Sequence, residues 1–410
     1  MTTIPTPASG VDTLFGGQVE DPYPVYADLR ESGDGIHWSG LLGGYLVTRY
    51  EDVRRVGADA TTFSSDLFFD SPPSIHDPDD PEHRRFIDAA ARLFMFADPP
   101  AHTRIRSTFR HAFTPQAVRG WRPMMERVTA ELIGRYPRDE EFDIMPGFAA
   151  DVPVAVIAAI LGVPDDMRSR FREWSYGYAS TFDPMVQGPP RSQAITTALE
   201  LFDYLGGLVA ARRADPRDDL ISALVRTETV DGDRLDDIEL LAQLALLLVA
   251  GNETTTGLIG SGLTLLFDHP ETMHRLRADP SGLPAAVEEM LRIDPPLHLV
   301  LRRTTVDVRV GDRDLPAGTL LYPSPAAANR DPRRFDAPDE FRVDRTDNKH
   351  LAFYHGVHFC VGAQLARAEA HVVFDHVLRT FPDIRPGAAR PVRRTTNSVA
   401  RTFESRTVML

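Results

Sequence analysis

Cys360 is the only cysteine of the chain. It stands in the run Phe353-Tyr354-His355-Gly356-Val357-His358-Phe359-Cys360-Val361-Gly362, just ahead of an amphipathic stretch. A single cysteine forms no internal disulfide, and a cysteine without context is most often a small buried hydrophobe. This context argues otherwise. A sulfur placed before a helix faces free backbone N–H groups and the positive helix end, and both favour the thiolate. Gly356 and Gly362 would let a flat ligand and N–H donors approach that sulfur closely.

A second group lies upstream, where Leu244-Ala245-Leu246-Leu247-Leu248-Val249-Ala250-Gly251 runs into Asn252-Glu253-Thr254-Thr255-Thr256. Glycine inside a helix costs about 1 kcal/mol against alanine, so it usually has a local reason. A threonine that bonds back to the carbonyl one turn earlier can open a helix there. An acid and a hydroxyl beside such an opening could carry protons to a bound oxygen species. The same residues also read as a helix that ends at Gly251 and restarts at Asn252, and the pattern alone leaves both readings standing. Glu289 and Arg292 share one helix face at a spacing of three, which by itself describes many solvated surfaces.

Taken in order, these segments resemble the cytochrome P-450 family. Its heme signature is Phe, two residues, Gly, one residue, a basic residue, one residue, Cys, one residue, Gly. Phe353, Gly356, His358, Cys360 and Gly362 fill it, while Tyr354 replaces a customary glycine and Gln364 a frequent proline. The resemblance implies heme b, with Cys360 as axial ligand of its iron, donating electron density that favours O–O cleavage. Ala250-Gly251-Asn252-Glu253-Thr254 matches the family's oxygen-activation motif. It implies that Glu253 delivers protons and that the Thr254 hydroxyl hydrogen-bonds bound dioxygen. Glu289-Met290-Leu291-Arg292 resembles a buried structural pair, which Arg345 would complete. Buried propionates need cationic partners, and the matching positions are His102, Arg106, His358 and Arg302, with Arg303 the alternative register for the last.

The implied reaction is insertion of one atom of dioxygen into a small or medium hydrophobic substrate, taken to be a secondary-metabolite intermediate. Electrons come from NAD(P)H through a separate ferredoxin or flavodoxin system. By position, Phe94, Met95, Leu247, Ala250, Leu299, Val300 and Val399 line an apolar pocket. Arg110 and Arg367 are the expected docking charges for the redox partner. Peroxide-driven or isomerising chemistry and a heme sensor without turnover are the rival readings.

The rest of the chain must position these groups. Its 410 residues, 42% apolar and 25% charged, support a large core. A net charge of −14 argues against a chain-wide nucleic-acid or anionic-membrane surface. The N-terminus has neither a basic nor an apolar signal region, and Glu253 interrupts the apolar stretch 240–267. The expectation is a cytoplasmic monomer without nucleic-acid or membrane partners.

Alternation and turn residues predict a strand at 45–48, a helix from 50 to 56 and a long loop over 64–85. The pattern is helical from 101 to about 280. It includes a buried helix at 154–161, a helix at 218–225 and a long helix started by Asp236 and Asp237. Val306, Val308 and Val310 begin a small hairpin, and a final helix runs from 361 to 380. The predicted class is mainly α with a minor β part. One domain spans 1–410: a mixed α/β part at about 20–65, a helical body at 101–300, a hairpin at 304–322, then the cysteine loop and final helix at 353–380. The resemblance implies a single triangular fold with heme between the long central helix and the cysteine-loop helix.

Overall fold

The computed structural model describes residues 10–16, 19–67, 80–109, 112–136, 140–183, 186, 188–395, 397, 399–400 and 402–410. The central helix, Asp237–Asp268, organises them. Its start is fixed by a capping box. Asp236 Oδ1 accepts the Glu239 N–H at 2.7 Å, and Glu239 Oε2 accepts the Asp236 N–H at 3.0 Å, so two free backbone donors are satisfied reciprocally. The helix contains no proline and continues through Gly251, which decides against a break there. It is apolar on most faces because neighbours surround it. Ala150–Leu161, Arg168–Ser180, Pro189–Ala214 and Ala363–Thr380 all pack on it. At Gly262 a Cβ would run into the Phe374 ring of the last of these, so glycine permits that close approach.

The buried helix Ala150–Leu161 ends on Gly162, whose φ of +73° is the left-handed cap that glycine supplies. Asp219 caps the next short helix, which spans Leu220–Arg226 rather than 218–225. Pro189–Ala214 is the one described helix long and apolar enough to cross a membrane, and it packs against Arg168–Ser180 and Leu220–Arg226.

The β part is a five-stranded sheet in the order Ile36–Ser39, Gly44–Val47, Leu320–Pro323, Arg302–Thr304, Phe63–Ser64. Only the second and third strands are parallel, with Tyr45 opposite Leu321. A separate hairpin pairs Val308–Val310 with Arg313–Leu315. Val306, expected in that alternation, is exposed and precedes the strand.

The predicted loop at 64–85 is corrected at both ends. Ser64 closes a strand, and a helix capped by Asp80 runs Pro81–Ala90. The proline-rich sequence around 81 suggested a loop, but proline at the first helical position starts helices. The rest of that segment, 68–79, lies outside the described residues. The final helix begins at Ala363, two residues later than expected.

Near the C-terminus, Val392–Arg393 pairs with Phe403–Ser405. The loop between them returns to the segment before Arg302. The His298 N–H donates to the Val399 carbonyl at 2.9 Å, and Leu297 bridges Ala400.

Candidate active site

The cysteine loop is held by its own backbone. The Cys360 N–H donates to the Phe353 carbonyl at 2.9 Å, and Gly356 adopts a φ of +72°. A Cβ at Gly356 would overlap the Gly57 carbonyl, so this glycine serves packing on helix Tyr50–Ala58 and not the approach of a ligand. At Gly362 a Cβ would meet only Cys360 Sγ, at 3.9 Å. Gln364 is exposed in the first turn of the last helix, where the missing proline disturbs no packing.

Protein surrounds Cys360, yet its side chain presents accessible surface. Burial pushes its thiol pKa up against the opposing pull of the Gly362 N–H, Arg106 and Arg367. The expected lowering by the helix end is therefore outweighed. A coordinated cation deprotonates a thiol outright, so a metal ion at this sulfur would hold it as the thiolate.

Next to the loop lies a group of basic side chains, with Asp98 the acid that acts on His102 and Arg302. The His102 and His358 rings are 4.4 Å apart. Both His102 nitrogens are buried without a hydrogen-bond partner. His358 Nε2 shares a 2.9 Å hydrogen bond with Ser65 Oγ. Arg302, 4% exposed, donates to the Leu301 carbonyl and forms no ion pair among the described residues; Arg303 is only half-buried. Arg106 donates to the Phe359 carbonyl and packs over Phe94.

Burial and then Arg106 lower the His102 pKa to about 4, while burial followed by Arg302 lowers that of His358 to about 2. Both imidazoles are therefore neutral as they stand. Buried polar groups are ordinarily partnered. A pair of carboxylates arriving here would supply partners to His102 and Arg302 together.

The facing element is the central helix. Along its buried length Ala250 is exposed and Gly251 and Thr254 are half-buried, and a Cβ at Gly251 would touch nothing within 4 Å. This stretch is therefore left uncovered by neighbouring side chains and borders open space. Thr254 Oγ1 donates to the Ala250 carbonyl at 2.7 Å. Asn252 turns away and donates to Ser175 Oγ at 2.9 Å.

Glu253 does not stand alone, because Arg394 NH1 donates to its Oε1 at 3.1 Å. Burial raises the Glu253 pKa, Arg394 lowers it, and the raising effect prevails. Arg394 lies 5.6 Å over the Tyr176 ring. It comes from the C-terminal hairpin loop, 141 residues beyond its partner, and the only sequence signal for it was an arginine-rich run with no defined spacing.

Glu289 and Arg292 are fully buried and bidentate, at 2.8 and 2.7 Å. Arg345 Nε and Asn348 Nδ2 also donate to Glu289, and Arg292 donates to the carbonyls of Asn329, Pro338 and Glu340. The pair thus fastens the irregular segment ahead of the cysteine loop. Removing one partner would leave a buried charge, at a cost of about 3–5 kcal/mol.

The expected pocket residues divide. Leu247 and Phe94 are buried, and Met95, Val300 and Val399 are half-buried. Leu299 is a correction. In an extended segment it points opposite Val300, into the cluster of Leu14, Tyr26, Leu46 and Tyr322. Arg367 is a second correction: Glu288 binds it bidentately at 2.6 and 2.7 Å, and it stacks 4.4 Å over Phe353, so it is no free docking charge. Arg110 lies outside the described residues.

The sequence profile of the family described as "Cytochrome P450" matches residues 83–280 and 282–401. The chain belongs to the cytochrome P450 family. It is 38% identical over 381 residues to cytochrome P450 107B1 of Saccharopolyspora erythraea, covering 90% of each chain. It is 36% identical over 391 residues to the cytochrome P450 monooxygenase PikC of Streptomyces venezuelae, covering 93% of this chain and 89% of that one. Among solved structures, PksS, the cytochrome P450 of the bacillaene polyketide synthase of Bacillus subtilis 168, superposes with a TM-score of 0.85 at 32% identity, over 95% of this chain and 97% of that one. The P450 fold and its cofactor, heme b, follow, and so does monooxygenase activity. The residues fit that cofactor: Cys360 offers an accessible thiol, and His102 and Arg302, which form no ion pair among the described residues, suit its two propionates.

Proposed function

We propose that this P450 inserts one oxygen atom into a small or medium hydrophobic secondary-metabolite intermediate. The substrate sits between Phe94, Met95, Leu247, Ala250, Val300 and Val399. The observation that carries this reading is the acid–hydroxyl pair Glu253–Thr254 on a stretch of the central helix that borders open space. Phe94, Leu247 and Val300 offer apolar contacts and no unpaired polar group, which suits an apolar ligand. The relation to PksS, named for a polyketide synthase and for polyketide biosynthesis, supports the substrate class.

Heme, when bound, supplies the redox chemistry that activates dioxygen. Cys360 is its ligand, and His102, Arg106, Arg302 and His358 hold its propionates. Thr254 spends its proton on the Ala250 carbonyl, so its oxygen is left free to accept a hydrogen bond from a water or from the acid. Glu253 carries the proton. The Glu253 side chain keeps slight solvent exposure beside the more open Arg394, so water can reprotonate the carboxyl. Electrons come from a ferredoxin or flavodoxin and its reductase, and the protein works as a cytoplasmic monomer.

The test uses a ligand found by its shift of the heme spectrum, surrogate redox partners, NAD(P)H and isotopically labelled dioxygen. One labelled oxygen atom is expected per product molecule. Turnover that incorporates no label would overturn the reading.

A further inference from the structure

Tyr354 occupies a backbone conformation that suits glycine. Its φ is +59°, in the left-handed region where a side chain is strained. Such strain persists only where surrounding contacts hold it, and here they are specific. The ring is buried, at 5% exposure, in the cluster with Tyr50, Val53 and Phe63. Gly57 makes room for it, because a Cβ there would come within 3.1 Å of the Tyr354 ring. The phenol oxygen is buried with no hydrogen-bond partner, and burial pushes its pKa up to about 12, so it stays protonated. The hydroxyl therefore does not account for the residue. The ring does: the Arg302 guanidinium lies 4.9 Å from its centroid.

Arg302 is itself buried and has no ion pair among the described residues. The Leu301 carbonyl takes one of its N–H donors and Asp98 acts on it electrostatically, while an aromatic face supports the plane of a guanidinium. We propose that Tyr354 is a positioning residue of the cofactor site: its ring is the platform that aims Arg302 at a heme propionate, and the chain accepts a left-handed tyrosine to provide it. This rests on the reading of Arg302 as a propionate anchor.

The experiment measures transfer of heme from the holoprotein to an excess of apomyoglobin. In Tyr354→Leu, which keeps bulk and loses the aromatic face, release should quicken about threefold to thirtyfold, the range of a desolvated cation–π contact. Tyr354→Phe should release heme at the wild-type rate, since only the unused hydroxyl is lost. In an Arg302→Gln background, Tyr354→Leu should add nothing, an outcome that a purely structural tyrosine would not give.

If the leucine variant does not fold, phenylalanine and its progressively fluorinated analogues at position 354 replace it, with release rising as the ring quadrupole weakens. Arg302→Gln with unchanged release would overturn the propionate reading. Faster release in Arg302→Gln but wild-type release in Tyr354→Leu, or a flat fluorination series, would overturn the role of Tyr354 alone.

Discussion

Among the described residues around Cys360, His102 has two unpartnered ring nitrogens and Arg302 has no ion pair, whereas along the central helix Thr254 is already bonded to Ala250 and Glu253 to Arg394. Each unsatisfied buried polar group costs about 1–3 kcal/mol, so the polar atoms on the cysteine side suit a ligand that partners them. The facing pair, already partnered, can act only by exchanging the partners it has. The first region is built for a ligand that arrives once and stays. The second is built for species that come and go during each turnover. The same contrast marks the carboxylates: Glu289, locked by two arginines, is structural, while Glu253 has one cation and a solvent route.

Cys360→Ser is the most severe way to break the first region. A hydroxyl is a far weaker iron ligand and electron donor than a thiolate. Complete loss of the thiolate-type spectrum of the reduced carbon-monoxide complex is expected, and a normal spectrum from the purified variant would refute ligation by Cys360. His102 and Arg302 remain in that variant, so residual heme retention would measure what the propionate partners contribute.

Within the second region, Thr254→Ala should leave folding and heme content intact. Water can then take the place of the hydroxyl, so reducing equivalents escape as hydrogen peroxide while NAD(P)H consumption continues. A positioned proton-transfer group is worth about 10²- to 10⁴-fold, and Thr255, buried on another face of the helix, does not replace it. Product and peroxide formed per NAD(P)H consumed are the quantities to measure. Unchanged coupling would make Thr254 a plain helix residue.

The two regions were unequally legible in the sequence. Cys360, Gly356 and His358 sit within one short loop, so local spacing describes their geometry, and Glu253 and Thr254 are adjacent. Arg394 was invisible because its contact depends on a C-terminal hairpin folding back across 141 residues. Leu299 was misplaced because composition does not say which way an extended segment faces, and Arg367 because a charge read alone does not reveal the acid beside it. Tyr354 was visible as a departure from the family pattern, but its purpose required seeing Arg302 across the ring.

Arg394→Gln tests the smallest and most diagnostic effect. In the wild type burial raises the Glu253 pKa and Arg394 lowers it, with the raising effect prevailing. Asp183 also raises it, and Tyr176 lies beside Arg394 without a charge of its own at neutral pH. Glutamine removes the lowering influence and leaves the others, so the Glu253 pKa must rise further. A step that needs protonated Glu253 falls away as pH rises through that pKa. Its alkaline limb should therefore move to higher pH. Product per NAD(P)H followed against pH in wild type, Arg394→Gln and Arg394→Lys measures it, and lysine should restore most of the original profile because it returns the charge. In Glu253→Gln that limb should be absent, and adding Arg394→Gln should change nothing further, since the group being tuned is gone. A limb that stays in place in Arg394→Gln would mean that the ion pair is a structural clasp on the C-terminal loop and that the proton reaches the site by another path.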